Sequence, residues 1–332
     1  MQTVNKAARI RDWLEHSQIA IYFVAVAAGC FSAILLPGTA RLESAINPAL
    51  ALMLYVTFLQ VPVAELGGAF TRVRFILPLL LTNFLLVPLL VAVLINFLPQ
   101  NQMLILGVLL VLLTPCIDYV VTFSQLGRAD ARLLLASTPV LLIVQILLLP
   151  VYLHFFLGEN ASELVQPTPF IHAFIWLIAV PLILAALTQF MAWKSHLAQK
   201  ASECLGLLPV PATATVLFIV VAAMLPQLGE AWSVAVQAVP VYVAFAALAP
   251  LCGWGMAKIF HLEPAAGRAI AFSGATRNSL VILPLALAVP GAVPVLPAVI
   301  VAQTMIELLS ELIYVRLIPK LGRSHSSKQN LD

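Results

Sequence analysis

The chain of 332 residues is 62% hydrophobic and only 9% charged, with a formal net charge of +3 and its positive charges spread thinly. A soluble domain of this length needs far more charge to cover its surface, and a nucleic-acid surface needs a basic cluster, so the composition excludes both. It predicts an all-α, polytopic membrane protein held in the lipid bilayer, because apolar runs long enough to cross a hydrocarbon core of about 30 Å recur from start to finish.

Residues 1–17 form a short segment carrying Lys6, Arg9 and Arg11. The first apolar run, Ser17 to Pro37, follows these basic residues without a small-residue cleavage site, and similar runs succeed it. It therefore reads as a retained span and not as a leader. Apolar runs set against charges and Gly/Pro punctuation give ten predicted helices, over 18–36, 46–66, 75–98, 103–126, 133–157, 168–191, 206–226, 232–257, 265–289 and 294–317. Arg72 and Arg74, Arg128 and Arg132, Lys194 and Lys200, Lys258 and Arg268, and Arg316, Lys320, Arg323 and Lys328 all fall on the side of residues 1–17. The other side holds only Arg41. By the positive-inside rule the basic side is cytoplasmic, with both termini inside and residues 319–332 a cytoplasmic tail.

The polar stretch GENASELVQP at 158–167 contains the extracytoplasmic linker, 159–167. It separates a first half, 18–158, from a second, 168–318. Five spans per half force the halves to enter the membrane with opposite orientation, which predicts two inverted five-helix repeats. The fourth span of each half is interrupted. The first reads LLTPCIDYVVTF, with its break near 114–118 at Pro115, and the second reads AFSGATRNSLVILPLAL, with its break near 274–279 at Gly274. Proline removes a backbone donor and glycine weakens helical continuity. Backbone groups freed in this way survive at membrane depth only where protein surrounds them, so matched breaks point to a binding site near the bilayer midplane.

Each break carries a charge, Asp118 in the first and Arg277 in the second. A charged group at membrane depth costs about 2.5–3.5 kcal/mol on insertion scales. The two are expected to pair where the breaks cross, either as part of a transport site or as an ion pair that only locks the crossing.

The segment TPCIDYVVTFSQLGRAD resembles the fourth span of the arsenical-resistance (arsenite permease) family, within the bile acid:sodium symporter superfamily. Pro115 and Cys116 stand for the pair that opens the break, and Arg128, Ala129 and Asp130 for the turn after it. AFSGATRNSLVI, including Asn278, resembles the second crossing, and AQTMIELLSELIYVRLIP carries Glu307 at the family's mid-span glutamate. The resemblance implies a core domain of crossed discontinuous helices, a panel domain of spans 1, 2, 6 and 7, and alternating access between them in a bacterial inner (plasma) membrane. It further implies an antiporter that exports arsenite against protons, with Cys116 as a soft thiol ligand and Glu307 as the proton carrier.

Two positions depart from that pattern. Arsenite permeases lack an acid at the position of Asp118 and usually have an amide where Arg277 stands. An arginine suits an anion, so the alternative is a proton- or sodium-coupled carrier of a small organic anion held by Arg277. The sodium-binding positions of the wider superfamily match Val120, Val121 and Ser273, and valine offers no oxygen, so the sodium sites look lost. Thr276, Asn278 and Ser279 offer polar groups beside the second break, and Asp118 joins Glu307 as a candidate for proton coupling.

Glu307 and Glu311 share one helical face, Glu307 deeper and Glu311 toward the cytoplasmic edge, where it is expected to pair with Arg316 or a neighbouring span. Gln60, Asn83, Gln145 and Gln303 read chiefly as interhelical hydrogen-bonding residues. Cys30, Cys204 and Cys252 read as small hydrophobes, and no spacing suggests a disulfide or a metal site. With no HExxH or GxSxG motif the chain reads as a transporter and not an enzyme, without a cofactor.

Overall fold

The computed structural model describes residues 9–11, 13–60, 73–117, 119–158, 172, 175–227, 229 and 231–322. The predicted ends of two helices (61–66 and 168–171), the 159–167 linker, Arg72, Asp118 and the tail from Arg323 onward lie outside the described residues. Within them the regular structure is helical, and the one strand-like feature is an isolated bridge discussed below.

The helices are α1 (Gln18–Leu35), α2 (Glu43–Phe58), α3 (Val73–Phe97), α4 (Gln102–Leu112), α5 (Tyr119–Leu126) and α6 (Ala131–Leu157). They continue with α7 (Val180–Lys194), α8 (His196–Leu205), α9 (Pro209–Met224), α10 (Ala231–Ile259), α11 (Pro264–Ala275), α12 (Ser279–Leu287) and α13 (Val295–Leu317). Five of them, α1, α3, α6, α10 and α13 with its extension to Lys320, are long and apolar enough to cross a membrane. Large apolar side chains such as Phe31, Ile34, Leu147 and Phe155 are exposed on them, as a lipid-facing surface requires. α8 was not expected. Its sequence HLAQKASECL is too polar to read as a span, and it stands as a short helix between the sixth and seventh predicted ones.

Packing divides the helices. α1, α2, α7 and α9 pack mainly on one another, while α10, α11 and α13 pack together with α3, α4, α5 and α6 around them. α12 touches α2, and α9 touches α13, along the seam between the groups. Gly253 lets α10 and α11 approach closely, since a Cβ there would meet the Ile270 carbonyl oxygen at 2.7 Å.

Two prolines inside the long helices are relieved locally. Pro88 cannot donate to the Phe84 carbonyl one turn back, and a π-helical turn, Thr82–Leu86, lies there. The Tyr152 hydroxyl of α6 donates to that carbonyl. The Tyr314 hydroxyl of α13 does the same for the Ala246 carbonyl, which Pro250 leaves free in α10. The open C-terminus of α2 is closed from α7, where Gln189 Nε2 donates to the carbonyls of Phe58 and Leu59, each at 3.2 Å.

Candidate functional site

The predicted fourth and ninth helices are each split, α4 ending at Leu112 before α5 begins at Tyr119 and α11 parting from α12 over 276–278, and the splits cross. Pro115 and Arg277 face each other as an antiparallel bridge. The Cys116 N–H donates to the Thr276 carbonyl at 3.0 Å, and the Asn278 N–H donates to the Thr114 carbonyl at 2.9 Å. Pro115 and Arg277 are thus the non-bonded pair between two bonded ones, where the proline's missing N–H costs nothing.

The free ends have further partners. Thr114 Oγ1 returns to the carbonyls of Leu110 and Val111, and Asn278 Oδ1 accepts from the Val281 N–H to cap α12. Because the Arg277 N–H is not used in the bridge, it is available, and Glu307 Oε2 accepts it at 2.8 Å. The same carboxylate accepts from the Tyr119 hydroxyl and from Gln303 Nε2. Glu307 on α13 therefore ties the second break to α5, the far side of the first.

The Arg277 side chain is fully buried. Its Nη2 donates to Asn83 Oδ1 at 2.8 Å and to the carbonyls of Ser273 at 2.6 Å and Gly274 at 2.7 Å, while Nη1 reaches the Leu112 carbonyl at 3.4 Å. Ser273 and Gly274 end α11, and Leu112 ends α4, so one guanidinium caps the C-termini of both half-helices, where the helix dipoles are negative. The guanidinium also stands over the Phe245 ring, 5.6 Å from its centroid. A Cβ on Gly274 would press on Thr82 Cγ2 at 3.0 Å, so the glycine lets α11 sit against the π turn that presents Asn83.

Pro115, Cys116, Gly274, Thr276, Arg277, Asn278 and Glu307 are thus gathered at one crossing, and Ser273 joins through its Oγ, which accepts from Asn83 Nδ2 at 3.0 Å. Asp118, and with it the expected ion pair to Arg277, lies outside the described residues. Val120 is buried, and Val121 partly so, on α5.

Glu311 joins the crossing as well. It is fully buried, and Thr276 Oγ1 donates to its Oε1 at 2.6 Å, while Oε2 has no hydrogen-bond partner. The α13 helix runs on to Leu317, and one turn separates Glu311 from Glu307, so both acids reach the second break. Tyr119 was missed from the sequence. Its only local signal is an aromatic hydroxyl placed directly after the first break, and its partners Glu307 and Arg277 are more than 150 residues away. Of the other cysteines, Cys204 is exposed, and Cys30 and Cys252 are partly buried.

The crossing is closed in this conformation. Cys116, Thr276, Arg277 and Asn278 are all fully buried. The cavity beside Glu307, lined by Tyr242, Phe245, Gln303 and Tyr314 among others, has a volume of about 10 Å³, room for a single water molecule at most. A larger cavity of about 650 Å³ lies along the seam of α10 and α13, lined by apolar residues such as Val243, Pro250, Leu309 and Leu317. It shares Ser310 and Tyr314 with the small one.

The family model described as the sodium bile acid symporter family matches residues 47–231, more than half of the chain, and the chain belongs to that family. The matched stretch includes the first break but stops before α11, so the second break and Glu307 lie beyond it. No curated protein matches the chain.

Proposed function

We propose that this member of the sodium bile acid symporter family is a ten-span secondary carrier that exports arsenite in exchange for protons. Membership points to a symporter-like membrane transporter, and five long apolar helices agree with a membrane setting. The finer reading makes α3–α6 and α10–α13 the core and α1, α2, α7 and α9 the panel, built as two inverted repeats. It places both termini in the cytoplasm of a bacterium. Alternating access then arises from movement along the seam where α12 meets α2 and α9 meets α13.

The observation that carries the choice of cargo is Cys116 at the centre of the crossing. Its backbone is held to Thr276 and it lies one residue from the Pro115–Arg277 bridge. A thiol is the one soft ligand at this point, and arsenite is thiophilic. The guanidinium, by contrast, spends Nη1 and Nη2 on protein oxygens. Glu307 is the proposed proton carrier, because its carboxylate touches both breaks and α13. In each cycle the core presents Cys116 to one side and then the other, and Glu307 takes up a proton as arsenite leaves. Asp118 is the second candidate for that proton.

A second reading, carriage of a small organic anion, is favoured by one feature. Arg277 Nε is buried without a hydrogen-bond partner and is able to donate to a carboxylate.

The test is purified protein in proteoliposomes, offered arsenite and a panel of small carboxylates with pH and sodium gradients imposed separately. Arsenite flux driven by the pH gradient and lost in Cys116→Ala supports the first reading. Carboxylate flux that needs Arg277 and ignores Cys116 replaces it with the second.

A further inference from the structure

We infer that the Arg277 guanidinium is a tethered cation, filling an oxygen cage at the helix crossing that a bound alkali cation would otherwise have to fill. The cage is made of four neutral oxygens, Asn83 Oδ1 from α3, the carbonyls of Ser273 and Gly274 from α11, and the Leu112 carbonyl from α4. Main-chain carbonyls and amide oxygens converging from several elements are the ligand set of hard cations. Two half-helix C-termini add the negative ends of their dipoles at the same point. Positive charge is therefore required there, at a depth where water does not supply it.

Among the described residues no carboxylate oxygen lies within 4.0 Å of the guanidinium. Glu307 contacts the Arg277 main-chain N–H instead. Among the described residues its partners are neutral dipoles and an aromatic face, and in that setting the guanidinium stands in the manner of a coordinated ion. Being covalently attached, it cannot leave during a transport cycle. The carrier accordingly needs no alkali cation at this position, and removing the side chain converts a built-in cation site into a vacant one.

This goes beyond the proposed cargo and uses the family only to choose sodium as the probe. The test reads stability without any cargo, so it can fail while the arsenite reading stands, and the reverse. Wild type, Arg277→Ala and Arg277→Gln, purified in lipid nanodiscs, are melted in sodium chloride and in choline chloride at equal ionic strength. Wild type is expected to melt at the same temperature in both. Each variant is expected to melt well below wild type in choline and to recover in sodium, with a rise that follows the logarithm of sodium concentration, as for a ligand that binds only the folded state. A variant that is folded but indifferent to the cation overturns the inference. So does a wild type stabilised by sodium over choline, and that arm remains decisive if neither variant folds.

Discussion

The chain breaks its helices in two ways, and the contrast separates a kink from a site. In α3 and α10 a proline frees one carbonyl, and a single tyrosine hydroxyl, Tyr152 or Tyr314, satisfies it from a neighbouring helix. Nothing charged is involved in those two contacts. At the crossing of α4–α5 with α11–α12 the freed groups satisfy one another, and the surplus is taken up by Arg277, Glu307, Tyr119, Asn83 and Thr114. Insulating a kink takes one hydroxyl. Keeping a cation and two acids, Glu307 and Glu311, buried takes side chains or main-chain carbonyls from five helices, α3, α4, α5, α11 and α13. A proline kink is therefore closed by one neighbour, whereas the charged, reciprocally bonded break draws on several helices, as the proposed transport site requires.

That contrast is sharpest at Arg277. Arg277→Ala in sodium-free buffer leaves four buried oxygens without their shared donor, and is expected to cost about 3–5 kcal/mol, the range for stripping one partner from a buried charged network. Thermal or denaturant unfolding in nanodiscs measures it. Next comes Glu307→Gln, which keeps the side-chain shape but loses the acid. It is expected to abolish pH-driven flux while lowering stability by only about 1–2 kcal/mol, because an amide oxygen in the place of Oε2 still accepts two of the three hydrogen bonds, from the Arg277 N–H and Gln303 Nε2. Loss of stability without loss of coupling, read by flux and melting on the same preparation, would assign Glu307 to architecture alone.

The kinks set the lower end of the scale. Tyr152→Phe leaves the Phe84 carbonyl unpaired, costing about 1–2 kcal/mol, with flux per folded molecule unchanged. A flux defect there would erase the distinction between kink and site. Smallest of all in stability is Cys116→Ala, a loss of one small buried atom worth about 1 kcal/mol, set against a complete loss of arsenite flux.

The two breaks were legible near their places, since Pro115 lies in the first and Arg277 in the second, but Gly274 is inside α11 and the second break opens only after Ala275. The spacing that puts Glu307 and Glu311 on one face was legible too. What could not be read is the identity of partners across long separations. Asn83 and Arg277 are 194 residues apart, and no local pattern announces that one caps the other. The same holds for Tyr119 and Glu307, 188 residues apart. The burial of Glu311 depends on where Thr276 lies, which only packing decides. Arg277 as a partner for an incoming anion is read from charge alone, and its hydrogen bonds to main-chain oxygens at the ends of α4 and α11 had no signal in the sequence.

The most direct measurement is thiol labelling of Cys116 in proteoliposomes, using protein in which Cys30, Cys204 and Cys252 are replaced by serine. If the crossing is the transport site, a small membrane-permeant reagent labels Cys116 slowly, as the closed conformation opens. Arsenite then slows that labelling while acetate does not. Labelling that arsenite leaves unchanged, or a Cys116 that never reacts while arsenite flux proceeds, would contradict it.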